Sequence, residues 1–458
     1  EPNGSKLDCK TAVTTRHTMT KIYFLTLGCA KNRVDTEWVL ALLENHQDVH
    51  KTFQWVDQPD NADILLVNTC AFIEDAREES IDAILELGEQ KKPHQRLVVM
   101  GCLPQRYGND LAQSLPEVDL FVGTSHIGDL PQLLHKKTSG LRVTPGAASW
   151  LPNTPLARKP SLGGPAAYLK VAEGCDRRCA FCAVPLIRGP KCSLPLAHLI
   201  EEASRLVEVG VREINLIAQD LSTWGRDLSE PATLSDLLRA LSGLPKLSWI
   251  RLLYLYPTAA FDPQFAQWFT IPKVVPYVDM PLQHVSSTVL AAMGRAHDGP
   301  MTREIVQIVR KLPQHVFFRT TFLVGHPAEG NAEFSELETF LRESNFHHVG
   351  IFAYSPEEGT HAASLSHVDR ETALARRNRL LAIQQKISAR LIRKLKGRIL
   401  QVMVERFDQE EWLWVGRHAG QAPEVDGNVI LTNCDCRVGD FIPVRIVETD
   451  AYDLVGSP

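Results

Sequence analysis

EGCDRRCAFC, residues 173–182, is the stretch that decides how the chain is read. It follows the apolar run AAYLKVA and sets Cys175, Cys179 and Cys182 on one short loop, with three residues and then two between them. Three thiolates without a fourth in the loop leave one iron of a [4Fe–4S] cubane open, whereas a structural zinc site is normally closed by four protein ligands. A zinc ion would need a distant Cys192 or a histidine as well.

Downstream, the runs EINLIAQ (213–219), WIRLLYLY (249–256), VVPYVDM (274–280), VFFRTTFLVG (316–325) and HVGIFAYS (348–355) are separated by helix-length segments. With the strand before the cysteines they make six, enough for a partial (β/α) barrel whose mouth carries the loop. Gln219, Arg319 and Gly325 fall at or near strand ends on that mouth and are candidate cofactor-binding residues.

Upstream, IYFLTL (22–27), ILLVN (64–68), LVVM (97–100) and LFVG (120–123) alternate with helix-period stretches, the pattern of a parallel α/β sheet. The first three runs end within two residues of Cys29, Cys70 and Cys102. Any one strand-end cysteine is commonly a packed side chain. Three at corresponding strand ends converge on one rim, where ligands of open parallel sheets collect, so they are read as a second metal site.

Residues 135–165, with five prolines and no period, read as a linker. A helix follows the barrel from about 370 to 396; counted to 398 it carries ten basic residues and one acidic, a face expected to be solvated or packed. From 397 on, ILQVMVERF, WLWVGR, NVILT and FIPVRIVET are parted by turn signals and suggest a small all-β barrel. The expected divisions are an extension (1–20), an α/β domain (21–134), the linker (135–165), the barrel domain (166–396) and the β domain (397–458). Cys9 is read as idle and Cys434 and Cys436 as plain residues, while Cys192 is given no role outside the zinc alternative.

Composition excludes other classes. The 458 residues are 44% hydrophobic and 22% charged, with a formal net charge of −5, which fits a soluble globular chain and gives no global basic field for nucleic acid. The residues before Met19 hold no apolar run that could be a signal peptide or membrane span, so a cytoplasmic protein without membrane partners is expected. Ten cysteines in such a chain suit metal or redox chemistry better than a disulfide framework.

The spacing of the tight trio, with Phe181 before its last cysteine, resembles that of the radical S-adenosylmethionine (SAM) superfamily. With TLGCAKNRVDTE (26–37), VNTCAFIEDAREES (67–80), YLKVAEGCDRRCAFCAVPLIRG (168–189), YVDMPLQH (277–284), RTTFLVGHP (319–327), YSPEEGTHAA (354–363), APEVDG (422–427) and AYDLVGS (451–457), the chain from Lys21 onward resembles the radical SAM methylthiotransferase family. The resemblance implies a [4Fe–4S] cluster and SAM at Cys175, Cys179 and Cys182, an auxiliary [4Fe–4S] cluster at Cys29, Cys70 and Cys102, and a TRAM domain for substrate docking. It implies that one SAM methylates a sulfur held at the auxiliary cluster and another yields the 5′-deoxyadenosyl radical that takes hydrogen from the substrate carbon. An electron donor such as flavodoxin or ferredoxin is implied as a partner. GHPAEG stands where the family usually has GFPGET, so His326, Ala328 and Gly330 depart from the pattern.

One branch of the family modifies an aspartate β-carbon in small-subunit ribosomal protein S-twelve, and the other a tRNA adenosine. Residues 397–458 hold five Lys or Arg and eleven Asp or Glu, a formal charge of −6. An acidic docking module suits a basic ribosomal protein and is poorly suited to phosphates, so the chain resembles the ribosomal-protein branch more. Outside the class, a non-catalytic Fe–S or zinc RNA-binding protein is the competing reading.

Overall fold

The computed structural model describes residues 18–45 and 51–458; Cys9 and most of the expected extension lie outside them. The first sheet holds β1 (Thr18–Thr26), β2 (Lys51–Trp55), β3 (Ile64–Thr69), β4 (Arg96–Gly101), β5 (Leu120–Gly123) and β6 (Gly140–Arg142), all parallel in the order β2-β1-β3-β4-β5-β6. Every residue of β3 and β5 is buried, as expected of strands with helices on both faces. The two edge strands were not anticipated. β6 lies inside the stretch read as a linker; three exposed or half-buried residues have no period to detect.

The second sheet opens with β7 (Ala166–Lys170), after which a two-stranded ribbon of β8 (Ala172–Glu173) and β9 (Cys192–Ser193) brackets the cysteine loop. It continues with β10 (Glu213–Ile217), β11 (Trp249–Leu252), β12 (Val274–Asp279), β13 (Phe317–Val324) and β14 (His348–Ala353). The order β14-β13-β12-β11-β10-β7, all parallel, is the expected open six-stranded half-barrel. The helix Arg370–Arg393 buries Ala373, Leu380, Ile383 and Ile387 and leaves most of its basic side chains outside; Arg376 instead turns inward onto Glu329.

The C-terminal residues form a closed barrel of β15 (Ile399–Asp408), β16 (Leu413–His418), β17 (Val429–Leu431), β18 (Phe441–Thr449) and β19 (Leu454–Ser457), in the order β15-β16-β17-β19-β18. Cys434 and Cys436, read as plain residues, are joined in a disulfide between β17 and β18.

The loop from β16 to β17 enters the N-terminal end of the half-barrel, where β10 starts at Glu213 and β14 at His348. Arg417 donates to Glu213 and, at 2.6 Å, to Glu405, while Arg251 donates to Glu213 and to the Ala419 carbonyl, both at 2.8 Å. Asp426 accepts from Tyr277 Oη and Arg319 at 2.6 Å and from Ala422 N at 2.8 Å. Buried charges are tolerated only when paired in this way. Burial raises the Glu213 carboxyl, but Arg417 and Arg251 outweigh it and hold it below its ordinary value; His348 and Arg319 do the same for Asp426.

Candidate functional site

The wide cysteine trio collects at the carboxyl ends of three adjacent strands. Cys29 precedes the helix Ala30–Glu44 after β1, Cys70 follows β3 directly, and Cys102 opens the helix after β4. Gly28 makes the approach possible. Its φ is +87°, and a Cβ there would lie 2.6 Å from Cys70 Cβ. The loops are stitched by Asn32, which donates to Leu27 O at 3.0 Å and Thr69 O at 2.9 Å, and by Asn68, which donates to Asn32 O at 2.8 Å. Cys70 and Cys102 are buried, and Cys29 is exposed. Burial pushes the Cys70 thiol up and the Cys102 thiol up to about 12, and both feel the charge of Cys29.

The tight trio lies on the loop after β8. Cys182 N donates to Cys179 O at 3.1 Å, and Ala180 is held between Met293 O and Ala362 N, each bond 2.8 Å. All three thiols are free and half-buried around a pocket of about 570 Å³ that Pro185, Leu186, Gly359 and His361 also line. Burial pushes the Cys175 thiol up and the Cys182 thiol up to about 12. Cys192, the conceivable fourth ligand, is exposed on β9 and does not line the pocket.

Each trio receives one arginine. Arg295 donates to Cys179 Sγ at 3.4 Å and stacks on Tyr256, with Arg177 also on that ring. Arg188 ends the helix Val184–Arg188 that leaves the tight loop, and it donates to Cys102 Sγ of the other trio at 3.2 Å. It also donates to Asn32 Oδ1 at 2.5 Å, Asp35 at 2.7 Å and Glu173 at 3.1 Å. Lys170 joins Asp35 and Glu173 from β7. Burial alone would raise the Glu173 carboxyl, yet Arg188 and Lys170 hold it at about 2. Soft sulfur donors in a partly dry, cationic setting fit Fe–S clusters, and three thiols at each place fit one cubane apiece.

Gln219 lies two residues beyond β10 and donates to Glu173, leaving its Oε1 buried and without a partner among the described residues. Gly325 follows β13 at φ +78°, its N–H donating to Glu329 at 3.1 Å; Glu329 in turn accepts from Arg376 at 2.7 Å. The unusual His326 is buried against Tyr354, and burial pushes it down to about 4. Gly330 sits just before the helix Asn331–Ser344, where its N–H meets Glu333 at 3.0 Å. Arg319 is not brought to this group. It is the third residue of β13, five before the strand's end, and its charge is committed to Asp426.

Three family models match the chain: the uncharacterized protein family UPF0004 over residues 21–123, the radical SAM superfamily over 169–341 and the TRAM domain over 397–458. A ribosomal protein uS12 methylthiotransferase RimO from Sorangium cellulosum is 42% identical, over 95% of this chain and 90% of the relative. The chain belongs to the RimO family. The RimO of Aquifex aeolicus is 39% identical over 95% of this chain and 96% of its own. Among solved structures, the radical SAM methyltransferase TsrM of Kitasatospora setae superposes with a TM-score of 0.56 at 14% identity, covering 76% of this chain and 77% of that one, which is a likeness of fold. As a RimO family member the chain is a radical SAM methylthiotransferase, a class that works with SAM and [4Fe–4S] clusters.

Sequence reasoning missed two residues at this RimO-type centre. Arg188 and Lys31 were in view inside the matched segments, but only the folded chain puts Arg188 on Cys102 and buries Lys31 over the Tyr254 ring, 3.1 Å from its centroid. Burial pushes Lys31 down to about 8.

Proposed function

We propose that the chain replaces a β-hydrogen of an aspartate in ribosomal protein uS12 with a methylthio group, using Cys175, Cys179 and Cys182 for the SAM-binding cluster and Cys29, Cys70 and Cys102 for an auxiliary one. The observation that carries the reading is the pair of separate free-thiol trios, each with one arginine side chain donating to a sulfur and joined through the helix Val184–Arg188. The substrate follows from the relatives, which are named for uS12. Bound at these places, the clusters and SAM supply the electron, the hydrogen-abstracting radical and the methylthio group.

The chain's own residues orient and enclose. Arg295 and Arg188 offset the negative charge of the sulfurs, Glu329 fixes the Gly325 backbone, and Gln219 offers a buried acceptor at the mouth. Among the described residues no helix is long and apolar enough to cross a membrane. A cytoplasmic enzyme reduced by flavodoxin or ferredoxin is the setting we favour.

The test is anaerobic reaction of the reconstituted protein with uS12, SAM and reductant, read by intact mass. Gain of one methylthio group is expected. Replacing Cys175, Cys179 and Cys182 by Ala should abolish SAM cleavage, whereas replacing Cys29, Cys70 and Cys102 should halve the iron and abolish the mass gain while SAM cleavage persists. Unmodified uS12 together with a methylthiolated tRNA adenosine would overturn the substrate assignment.

A further inference from the structure

Trp412 is 78% exposed, the most exposed large apolar side chain among the described residues. It lies in the turn from β15 to β16, just outside the last paired residues, Asp408 and Leu413. Its φ of +54° is in the left-handed region, which Gly or Asn fills at little cost and a bulky side chain does not. The turn is closed by Asp408, whose Oδ1 accepts from Glu410 N at 3.1 Å and from Glu411 N at 3.2 Å. Turn geometry therefore does not call for a tryptophan.

The ring is not a lone apolar residue on the surface. Trp412 meets Phe407 edge-on with centroids 5.8 Å apart, and Phe407 meets Trp414 at 5.1 Å across the β15–β16 pair. Phe407 and Trp414 are half-buried, so the row runs from the barrel wall out to an open indole. Beside it stand Glu410 and Glu411, exposed and without an ion pair or side-chain hydrogen bond among the described residues, and the half-buried Asp408. Residues 407–412 carry three acids and no base. Arg406, the nearest base in sequence, lines a hollow with Leu162, Gly163 and Glu424. An indole face and carboxylates attract a cation in the same sense. The same carboxylates repel phosphates, which sets this surface apart from an aromatic platform for nucleic-acid bases.

We propose that Trp412, propped by Phe407 and Trp414, is the docking anchor for an arginine or lysine side chain of the basic protein substrate, held over the indole and paired with Glu410 or Glu411. The inference rests on the proposed uS12 substrate and adds the short-range contact that holds it. The two kinds of group differ in range. Carboxylates steer the approach and are screened by salt, whereas the ring acts only in contact and sets how long the complex lasts.

The experiment compares reconstituted wild-type holoenzyme with Trp412→Gly and Trp412→Phe for uS12 association and dissociation, for KM and kcat of modification, and for tRNA binding. Glycine accepts the left-handed φ, so the first variant removes the ring and leaves the turn unstrained. It should weaken uS12 binding by roughly threefold to thirtyfold, the range of one cation–aromatic contact, through faster dissociation, with KM raised and kcat kept. The defect should persist at high salt, Trp412→Phe should recover part of it, and SAM cleavage without uS12 should match wild type. Unchanged dissociation in Trp412→Gly, or a defect that vanished at high salt, would overturn the inference, as would loss of tRNA binding in place of uS12 binding. If wild type modified uS12 and Trp412→Gly bound it normally, the anchor alone would have failed. If wild type neither bound nor modified uS12, the substrate reading would have failed and the anchor with it.

Discussion

Replacing Arg188 with Met should loosen iron at the wide trio while iron at the tight trio stays. Arg188 is 4% exposed, and its guanidinium donates to Cys102 Sγ, Asn32, Asp35 and Glu173. Without it, Asp35 and Glu173 share Lys170 alone, so a balanced group acquires one net negative charge beside three sulfurs that must themselves ionise. Removing one member of a buried ion pair costs about 3–5 kcal/mol. Only part of that falls on the metal site, because the carboxylates can take up protons. The part that does is the hydrogen bond to sulfur, about 1.5–3 kcal/mol for a charged partner, or roughly 10- to 100-fold in iron retention. Cys102 is already pushed up to about 12 by burial with Arg188 in place, so losing the guanidinium further disfavours the thiolate. The assay is anaerobic chelator challenge of the reconstituted protein with iron release followed by absorbance. Two phases should appear in the variant, the faster worth half of the iron. Release indistinguishable from wild type would refute the electrostatic role given to Arg188.

Gly325→Ala should weaken SAM binding measured by calorimetry by about tenfold or more, because a Cβ there sits at φ +78° and 2.4 Å from Ala373 Cβ, displacing the loop or the helix beneath it. Acid should loosen the C-terminal barrel from the half-barrel. Glu213 and Asp426 are held below their ordinary values, so their contribution is full above about pH 4.3 and 3.9, the unfolded values, and is lost as pH falls through the folded ones; hydrogen exchange at β16 should quicken below about pH 4. Changing Asp408, Glu410 and Glu411 to Lys should slow uS12 modification at low salt and restore it at high salt, read by steady-state kinetics, if these acids, Glu410 and Glu411 exposed and Asp408 half-buried, steer a basic partner. Glu405 on the same strand is left unchanged, since it is paired with Arg417.

What was legible in the sequence was whatever repeats locally. The strand-then-cysteine pattern at 27–29, 68–70 and 100–102 located three thiols that the sheet then brought side by side, and the spacing of Cys175, Cys179 and Cys182 needed no tertiary information at all. Edge strands β2 and β6 were illegible because short, half-exposed segments carry no period. Arg319 lies nearer the start of β13 than the sequence suggests, because the apolar run alone does not say which end of a strand a residue occupies; the strand bounds and the register with His348, the first residue of β14, do. Lys31 and Glu405 share one cause. A charged residue carries no local signal of burial, and only the fold sets the first over a ring and turns the second onto Arg417.

The loop that closes the lower end of the half-barrel bears on whether the C-terminal barrel is an interchangeable part. Arg417 and Asp426 meet Glu213, Arg319 and Tyr277 as matched lock pieces, and Glu424 reaches further, to Tyr168 on β7 at 3.0 Å and to Arg33 beside the wide trio at 2.5 Å. Grafting a foreign barrel at residue 397 would cost Glu213 one of its two arginines and leave Arg319 only the longer contact to Asp279 unless the donor supplied equivalents of Arg417 and Asp426. Hybrids made to switch substrate should therefore exchange the outer strands and turns while keeping residues 417–426 with their host, since that segment behaves as the floor of the reaction chamber whichever macromolecule the outer face receives.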